Sequence, residues 1–350
     1  MIRVLIIDPA GNLRGSERAL LDLLDEMPSQ VAVCCPPKTP LVAELGLRGR
    51  RTFPLFVAAL HLKPRWRRLQ AALGVLGACL AFRPKVLHLN QAGAFKVALP
   101  AARFLGLPIV AHVRLFEDVA YLAKQRYRPH SIIAVSDAVE SEIRKFRNLD
   151  CVPVNRIYDG YRRHNKQDLG VAGRDSGRIA VVGQIVHGKG QDLLVEALSL
   201  LKHAPISCVV AGEGELLQGL RTRADELRLT SITWCGFVPD VNGLLRNCAV
   251  LCLPSWHETL GRVIFEAWDA GAVPVVFAGS GGAAEVVRAA DAGIVYAEQS
   301  AQCLADALRR AFELSEEEKF RLVENGRTWL QANCAPEPYG RAVAAVLSRS

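Results

Sequence analysis

Two carboxylates eight positions apart, Glu258 and Glu266, are the residues of this chain best placed to do chemistry. They belong to the run His257-Glu-Thr-Leu-Gly-Arg-Val-Ile-Phe-Glu266, which lies between two apolar segments, 249–253 and 273–277. Both segments read as buried parallel strands, and residues 263–270 between them as a short helix stopped at Gly271. Glu258 then sits in the loop at the carboxyl end of a strand, with Glu266 further on in the helix. The backbone N–H groups of Leu260, Gly261, Arg262 and Val263 open that helix and suit a phosphate. The two acids suit paired hydroxyls, those of a sugar or a ribose. A phosphate with vicinal hydroxyls describes a nucleotide sugar. One solvated Glu on a helix and one in a loop is the plainer reading, and spacing alone does not choose between them.

A second group lies upstream. Lys189 follows the strand 179–182 and a glycine-containing loop, and it precedes a helix expected over 191–201. A lysine beside a helix amino end suits a diphosphate, as charge and as hydrogen-bond donor. An isolated Gly-Lys-Gly is more often a surface turn. His112 ends the apolar run 109–112, and Gly15-Ser16-Glu17 opens the first helix, with Ser16 as the expected N-cap.

The elements that must hold these residues alternate. Strands are expected at 2–7, 31–35, 86–89, 109–112 and 132–135, with helices near 16–27, 92–105 and 137–146. The second half repeats the plan, with strands at 179–182, 208–211, 232–235, 249–253, 273–277 and 294–296. Such alternation predicts α/β domains, each a parallel sheet with helices on both faces. The polar, turn-rich stretch 162–177 is the linker candidate. The expected division is 1–165 and 166–335, with a last helix in 336–350 returning to the first domain. Ligands of open α/β sheets bind beyond the carboxyl ends of the strands. Two such domains facing a central cleft would bring their chemistry there.

Composition narrows the class. Of 350 residues, 50% are hydrophobic, enough for two cores. The ten cysteines show no C-x-x-C and no zinc spacing, which predicts free thiols in a reducing cytosol. The amino terminus reads straight into a strand, so no secretory signal is expected. No apolar run reaches the ~20 residues that cross a bilayer. A soluble or peripheral protein is expected. The formal net charge is +8, and the surplus lies in the first half. Every charged residue between Glu44 and Glu117 is a cation. That stretch contains Lys63-Pro-Arg-Trp-Arg-Arg68, the apolar run 69–82 and Arg83-Pro-Lys85. Residues 63–85 therefore suit docking on an anionic membrane surface, and equally a core helix with a solvated basic cap. Nucleic acid is not expected as a partner, because no reader motif accompanies the charge.

The spacing Glu258-x7-Glu266, followed by Ala270-Gly271 and Pro274-Val275-Val276, resembles the acidic motif of retaining nucleotide-sugar glycosyltransferases of family four, which have the GT-B fold. The run Val181-Val-Gly-Gln-Ile-Val-His-Gly-Lys-Gly190 resembles that family's diphosphate-binding loop, Gly281-Gly282-x-x-Glu285 a further element, and Ala134-Val-Ser136 its domain-closing strand. Matching pieces run over most of the chain. The resemblance implies two Rossmann-like domains, with the donor held mostly by the second. It implies that Glu258 reaches the donor sugar, Glu266 the ribose and Lys189 the diphosphate. It also places His112 near the donor sugar and the reacting centre, and Gly15 near donor phosphate and acceptor. The family's usual Gly-Gly pair is reduced here to Arg14-Gly15. Gln184 departs further, since the family usually has Arg there. Glutamine donates a hydrogen bond but cannot neutralise charge. Arg262 is a candidate replacement.

The expected function is transfer of a sugar, with retention, from a nucleotide diphosphate to an acceptor hydroxyl. The resemblance implies no cofactor and no metal, and no Asp-x-Asp pair occurs. The basic first half favours an anionic, lipid-linked acceptor at the inner face of a bacterial membrane, in surface polysaccharide or lipopolysaccharide assembly. The rivals are a nucleotide-sugar epimerase or hydrolase of the same fold, and a catalytically degenerate binding protein. A decoy also exists. Gly279-Ser-Gly281-Gly282-Ala-Ala284 fits the loose dinucleotide fingerprint, with Glu298 where a ribose-binding acid falls. It sits late in the second sheet rather than at a first βα turn, which argues against a nicotinamide enzyme.

Overall fold

The computed structural model describes residues 2–27, 30–56, 65–164 and 175–350. Most of the expected linker (165–174) and the first two residues of the basic patch (63–64) fall outside them. The chain divides into two units, Met1–Arg162 with Cys334–Ser350, and Arg163–Asn333.

Unit 1 is built on β1 (Val4–Ile7), β2 (Val31–Cys35), β3 (Arg51–Pro54), β4 (Val86–Leu89), β5 (Ile109–Val113), β6 (Ser131–Ala134) and β7 (Val154–Arg156). They form a seven-stranded sheet in the order β3-β2-β1-β4-β5-β6-β7, and every pairing is parallel. β1, β2, β4, β5 and β6 are buried along their whole length, as strands covered on both faces must be. The crossovers carry α1 (Gly15–Glu26), α2 (Pro40–Leu47), α3 (Arg65–Phe82), α4 (Phe95–Leu105), α5 (Phe116–Ala123) and α6 (Asp137–Arg144).

The edge strands β3 and β7 were not expected from the sequence. Their residues are half-buried or exposed, so neither carries the unbroken apolar run that marks a central strand. The start of α1 also differs. Its N-cap is Arg14 rather than Ser16, because the Glu17 carboxylate accepts the Arg14 backbone N–H at 3.0 Å and fixes the entry earlier.

Unit 2 carries β8 (Asp175–Val182), β9 (Ser207–Ala211), β10 (Ile232–Gly236), β11 (Cys248–Leu253), β12 (Val273–Phe277) and β13 (Ile294–Tyr296). The order is β10-β9-β8-β11-β12-β13, again all parallel. Its helices are α7 (Gln191–Leu200), α8 (Leu217–Glu226), α9 (Val241–Arg246), α10 (Val263–Ala270), α11 (Gly282–Ala290), α12 (Ala301–Glu313) and α13 (Glu316–Asn333). α10 is anchored by Trp268, fully buried, whose indole N–H donates to the Ala292 carbonyl at 2.7 Å. Gly326 leaves the space that this ring occupies.

The last helix, α14 (Pro336–Arg349), belongs to unit 1. It packs Tyr339, Val343, Val346 and Leu347 into the same core as Leu20, Leu23 and Leu24 of α1. All ten cysteines are free. Burial pushes the thiols of the adjacent Cys34 and Cys35 up to about 12, so both stay protonated and behave as small apolar residues. Among the described residues no helix is long and apolar enough to cross a membrane.

Candidate active site

Unit 2 has one point at which the chain reverses its direction across the sheet. From β8 it winds outward to β9 and β10, then returns to lay β11 on the other side of β8. The crevice beyond the carboxyl ends of β8 and β11 is the place where an open α/β sheet takes its ligand. The loop after β8 carries Gln184 and Lys189, and the loop after β11 carries Glu258.

These loops are joined at the level of the backbone. Trp256 N–H donates to the Gly188 carbonyl at 2.9 Å. Glu258 pairs with the loop after β12, its N–H donating to Ser280 O at 2.7 Å while its carbonyl accepts from Gly282 N–H at 2.8 Å. Two glycines make the approach sterically open. A Cβ on Gly190 would lie 2.0 Å from the Pro254 carbonyl oxygen, and one on Gly282 2.0 Å from that of Thr259. Gly281 and Gly282, which fit the dinucleotide fingerprint on paper, are thus spent on seating the loop that bears Glu258.

The outcome is an ion pair. Lys189 Nζ lies 2.6 Å from Glu258 Oε1, with the two side chains 32% and 13% exposed. Lys189 immediately precedes Gly190, the N-cap of α7. Glu258 lies ahead of α10, whose N-cap is Arg262 and whose first turn holds Glu266. The Arg262 side chain makes no capping hydrogen bond at the start of α10, and the positive end of the helix dipole lies there. Leu260 buries its side chain, and Gly261 takes a left-handed φ of +74° that turns the chain into the helix. Gly261, Arg262, Val263 and Glu266 are half-buried. Gln184 is exposed, and its carbonyl accepts from Gln191 Nε2 at 2.9 Å. Unit 2 therefore brings together a cation, a carboxylate and a helix start, which can meet the diphosphate and hydroxyls of one ligand.

Gly15 and His112 belong to unit 1. Gly15 is exposed at the first position of α1, in the loop region after β1. His112 corrects the sequence reading. It lies within β5 rather than at its end, and its side chain is fully buried. The His88 ring stacks against it with centroids 5.5 Å apart, and His112 Nε2 is 3.6 Å from Asp159 Oδ1. Burial, the nearby Arg114 guanidinium and His88 hold the His112 imidazole well below its ordinary pKa. Burial and Arg114 bring His88 to about 3. Both rings are neutral at physiological pH.

The network around them follows no motif that local sequence displays. Arg114 donates to Asp159 at 2.8 Å, to Asn90 Oδ1 at 2.7 Å and to the Tyr339 hydroxyl at 3.2 Å. Asn90 in turn donates to Asp8 at 2.7 Å. Asp8, Asn90 and Arg114 each directly follow an apolar strand, β1, β4 and β5, and that was the available signal. They line the point where unit 1's own winding reverses, between β1 and β4. Nearby, Glu17 accepts from Ser16 Oγ at 2.8 Å and Gln91 Nε2 at 2.9 Å, and burial followed by the Asp8 charge raises its pKa.

A further buried acid gives a measurable pH effect. Asp118 of α5 is 7% exposed, accepts backbone N–H groups of Ala92 and Gly93, and is pushed up to about 7, chiefly by burial. The folded state therefore binds a proton that the unfolded chain releases near pH 4. Stability contributed by this group is present below that point and is lost as pH rises through about 7. Asp118→Asn removes the ionisation. Its melting temperature is expected to exceed that of the parent by several degrees at pH 8, with the gap closing toward pH 4.5. An equal difference at both pH values would show that Asp118 does not titrate in this range.

Among the described residues no cluster of three or more His, Cys, Asp or Glu side chains could hold a metal ion. Residues 166–329 match the family model Glycosyl transferases group 1, and residues 13–162 match Glycosyltransferase Family 4. Each half of the chain thus resembles a glycosyltransferase family model, and the two matches together span most of its length. The lipopolysaccharide core biosynthesis glycosyltransferase LpsE of Rhizobium meliloti is 27% identical over 53% of this chain and 60% of its own. A GDP-mannose-dependent phosphatidylinositol monomannoside mannosyltransferase of Mycobacterium tuberculosis is 30% identical over 44% of this chain and 43% of its own. The chain thus spans about half the length of these relatives. Among solved structures, Anabaena Alr3699/HepE in complex with UDP-glucose superposes with a TM-score of 0.84 at 19% identity, over 100% of both chains. That likeness shows the fold alone.

Proposed function

We propose that the chain transfers a sugar from a nucleoside diphosphate to an acceptor hydroxyl, with retention at the anomeric carbon and without a metal. The reading is carried by the ion pair of Lys189 and Glu258 at the reversal point between β8 and β11. In transfer the bond from the anomeric carbon to the phosphate oxygen breaks, and the diphosphate leaves with the electron pair. Negative charge then accumulates where Lys189 and the α10 amino end can meet it, with Arg262 as an additional cation. Glu258 would exchange its partner Lys189 for sugar hydroxyls, and Glu266 would hold the ribose. Gln184 would donate a hydrogen bond to the diphosphate. In unit 1, exposed Gly15 would lie near the acceptor, whereas His112, neutral and enclosed, would touch no ligand. A UDP-sugar is the first donor to test, because HepE binds one.

The acceptor in this reading is anionic and lipid-linked, in assembly of a bacterial surface polysaccharide or lipopolysaccharide. Kinship with LpsE and the mannosyltransferase supports this, as does the cationic stretch between Glu44 and Glu117. The protein would act in the cytoplasm as a peripheral protein at the inner membrane face.

Incubation with UDP-, GDP- and ADP-sugars and a lipid-linked acceptor, followed by product NMR, tests the proposal. One donor should give an α-linked product from an α-linked donor. Glu258→Gln should lower that rate between about tenfold and a hundredfold, the value of a hydrogen bond to a charged group. Free sugar released without acceptor would favour a hydrolase, and an altered sugar an epimerase. Nucleotide binding with no turnover of any donor would leave a degenerate binding protein.

A further inference from the structure

The helix α3 is apolar on two opposite faces. Ala71, Ala72, Val75, Ala78, Cys79 and Phe82 are buried in unit 1. At 100° per residue they occupy one side of the helix. The other side presents Trp66, Leu69, Leu73 and Leu80, exposed by 59%, 62%, 58% and 56%. Gly77 lies in the same stripe, with open space where a Cβ would be. A core helix of a soluble domain places polar residues on its outer face. This one places large apolar side chains there, in a repeat that keeps them in a single line.

Charge around the stripe has one sign. Arg67 and Arg68 are exposed at the amino end of α3, and the Arg67 guanidinium lies 5.3 Å from the Trp66 ring centroid. The neighbouring α4 adds exposed Lys96, Arg103 and Phe104. Neither helix contains a carboxylate. An apolar line flanked by cations, with a Trp at its basic end, matches a bilayer's acyl region bordered by anionic headgroups. A second copy of the chain would offer the same acid-free helices and nothing to offset the arginines.

We propose that the exposed stripe of α3 is the membrane-docking face of this protein and that its partner is an anionic lipid bilayer. The helix lies along the interface, with Trp66, Leu69, Leu73 and Leu80 in the acyl boundary and Arg67, beside Trp66, at the phosphates. This deepens the lipid-linked acceptor reading, yet it is measured without donor or acceptor, so either can fail alone.

The full chain would be sedimented with phosphatidylcholine vesicles, with and without phosphatidylglycerol, at low and high salt. Binding is expected only to the anionic vesicles and is weakened by salt. The double substitutions Leu69→Ser with Leu73→Ser, and Arg67→Glu with Arg68→Glu, should each weaken it by about tenfold or more. Both pairs are exposed, so their melting temperatures should match the parent's. Absence of vesicle binding by the parent, or binding unchanged in both variants, would overturn the proposal. So would lipid-free self-association that the leucine variant abolishes, since the stripe would then be a protein interface.

Discussion

Replacement of Lys189 by methionine, which keeps the stem and removes the charge, is expected to lower kcat for sugar transfer by on the order of 10²–10³, the usual effect of removing one group aimed at developing charge. In the resting chain the ammonium is held 2.6 Å from Glu258. Once sugar hydroxyls take Glu258, the ammonium is released beside the departing diphosphate, where it can meet the charge that develops. The same ion pair is partly exposed, and pairs of this kind contribute about 0–1 kcal/mol to stability. Melting should move little. Donor KM should rise less than kcat falls, because charge on the diphosphate is greatest after the bond to the sugar has broken. A variant with normal kcat and a raised KM would mean that Lys189 serves ground-state binding alone. A variant with normal values for both would remove the pair from the catalytic account.

The sequence made most of this scaffold readable for one reason: the central strands are buried on both faces and appear as uninterrupted apolar runs. β2, β4, β12 and β13 fall on the expected residues. The edges β3 and β7 escaped because a strand with one neighbour and a solvated side need not be apolar. The same logic separates the parts of the candidate site. Lys189 and Glu258 could be singled out because each directly serves a helix entrance after a strand. Their pairing across 69 positions depends on β8 and β11 being neighbours, which strand order decides and local pattern does not. The network joining Asp8, Asn90, Arg114, Asp159 and Tyr339 is still more distributed, with one bond spanning 225 positions. His112 shows the converse. The resemblance places it near the donor sugar and the reacting centre, whereas the stacked His88 and Asp159 enclose it.

The largest stability effect should come from a single added methyl group, Gly190→Ala. Gly190 caps α7 with φ of +74°, a left-handed conformation that costs other residues about 1–2 kcal/mol. Its new Cβ would also lie 2.0 Å from the Pro254 carbonyl oxygen, a contact that neither backbone can keep. Relief requires the loop after β11 to move away from the loop after β8, and such overpacking adds about 1–3 kcal/mol. The sum of about 2–5 kcal/mol corresponds to a fall of roughly 5–15 °C for a unit of this size. The displaced loop is the one that carries Glu258, so the Lys189 pair should open as well. Stabilisation by a nucleoside diphosphate, worth ~2.7 kcal/mol at 100 times its dissociation constant, should then shrink or vanish. Gly219→Ala provides the control. Gly219 lies inside α8 with no atom within reach of a new Cβ, and alanine there should leave binding intact and raise stability slightly. If Gly190→Ala melts with the parent and still answers to nucleotide, the two loops do not meet at Pro254, and the site must be assembled by some other contact.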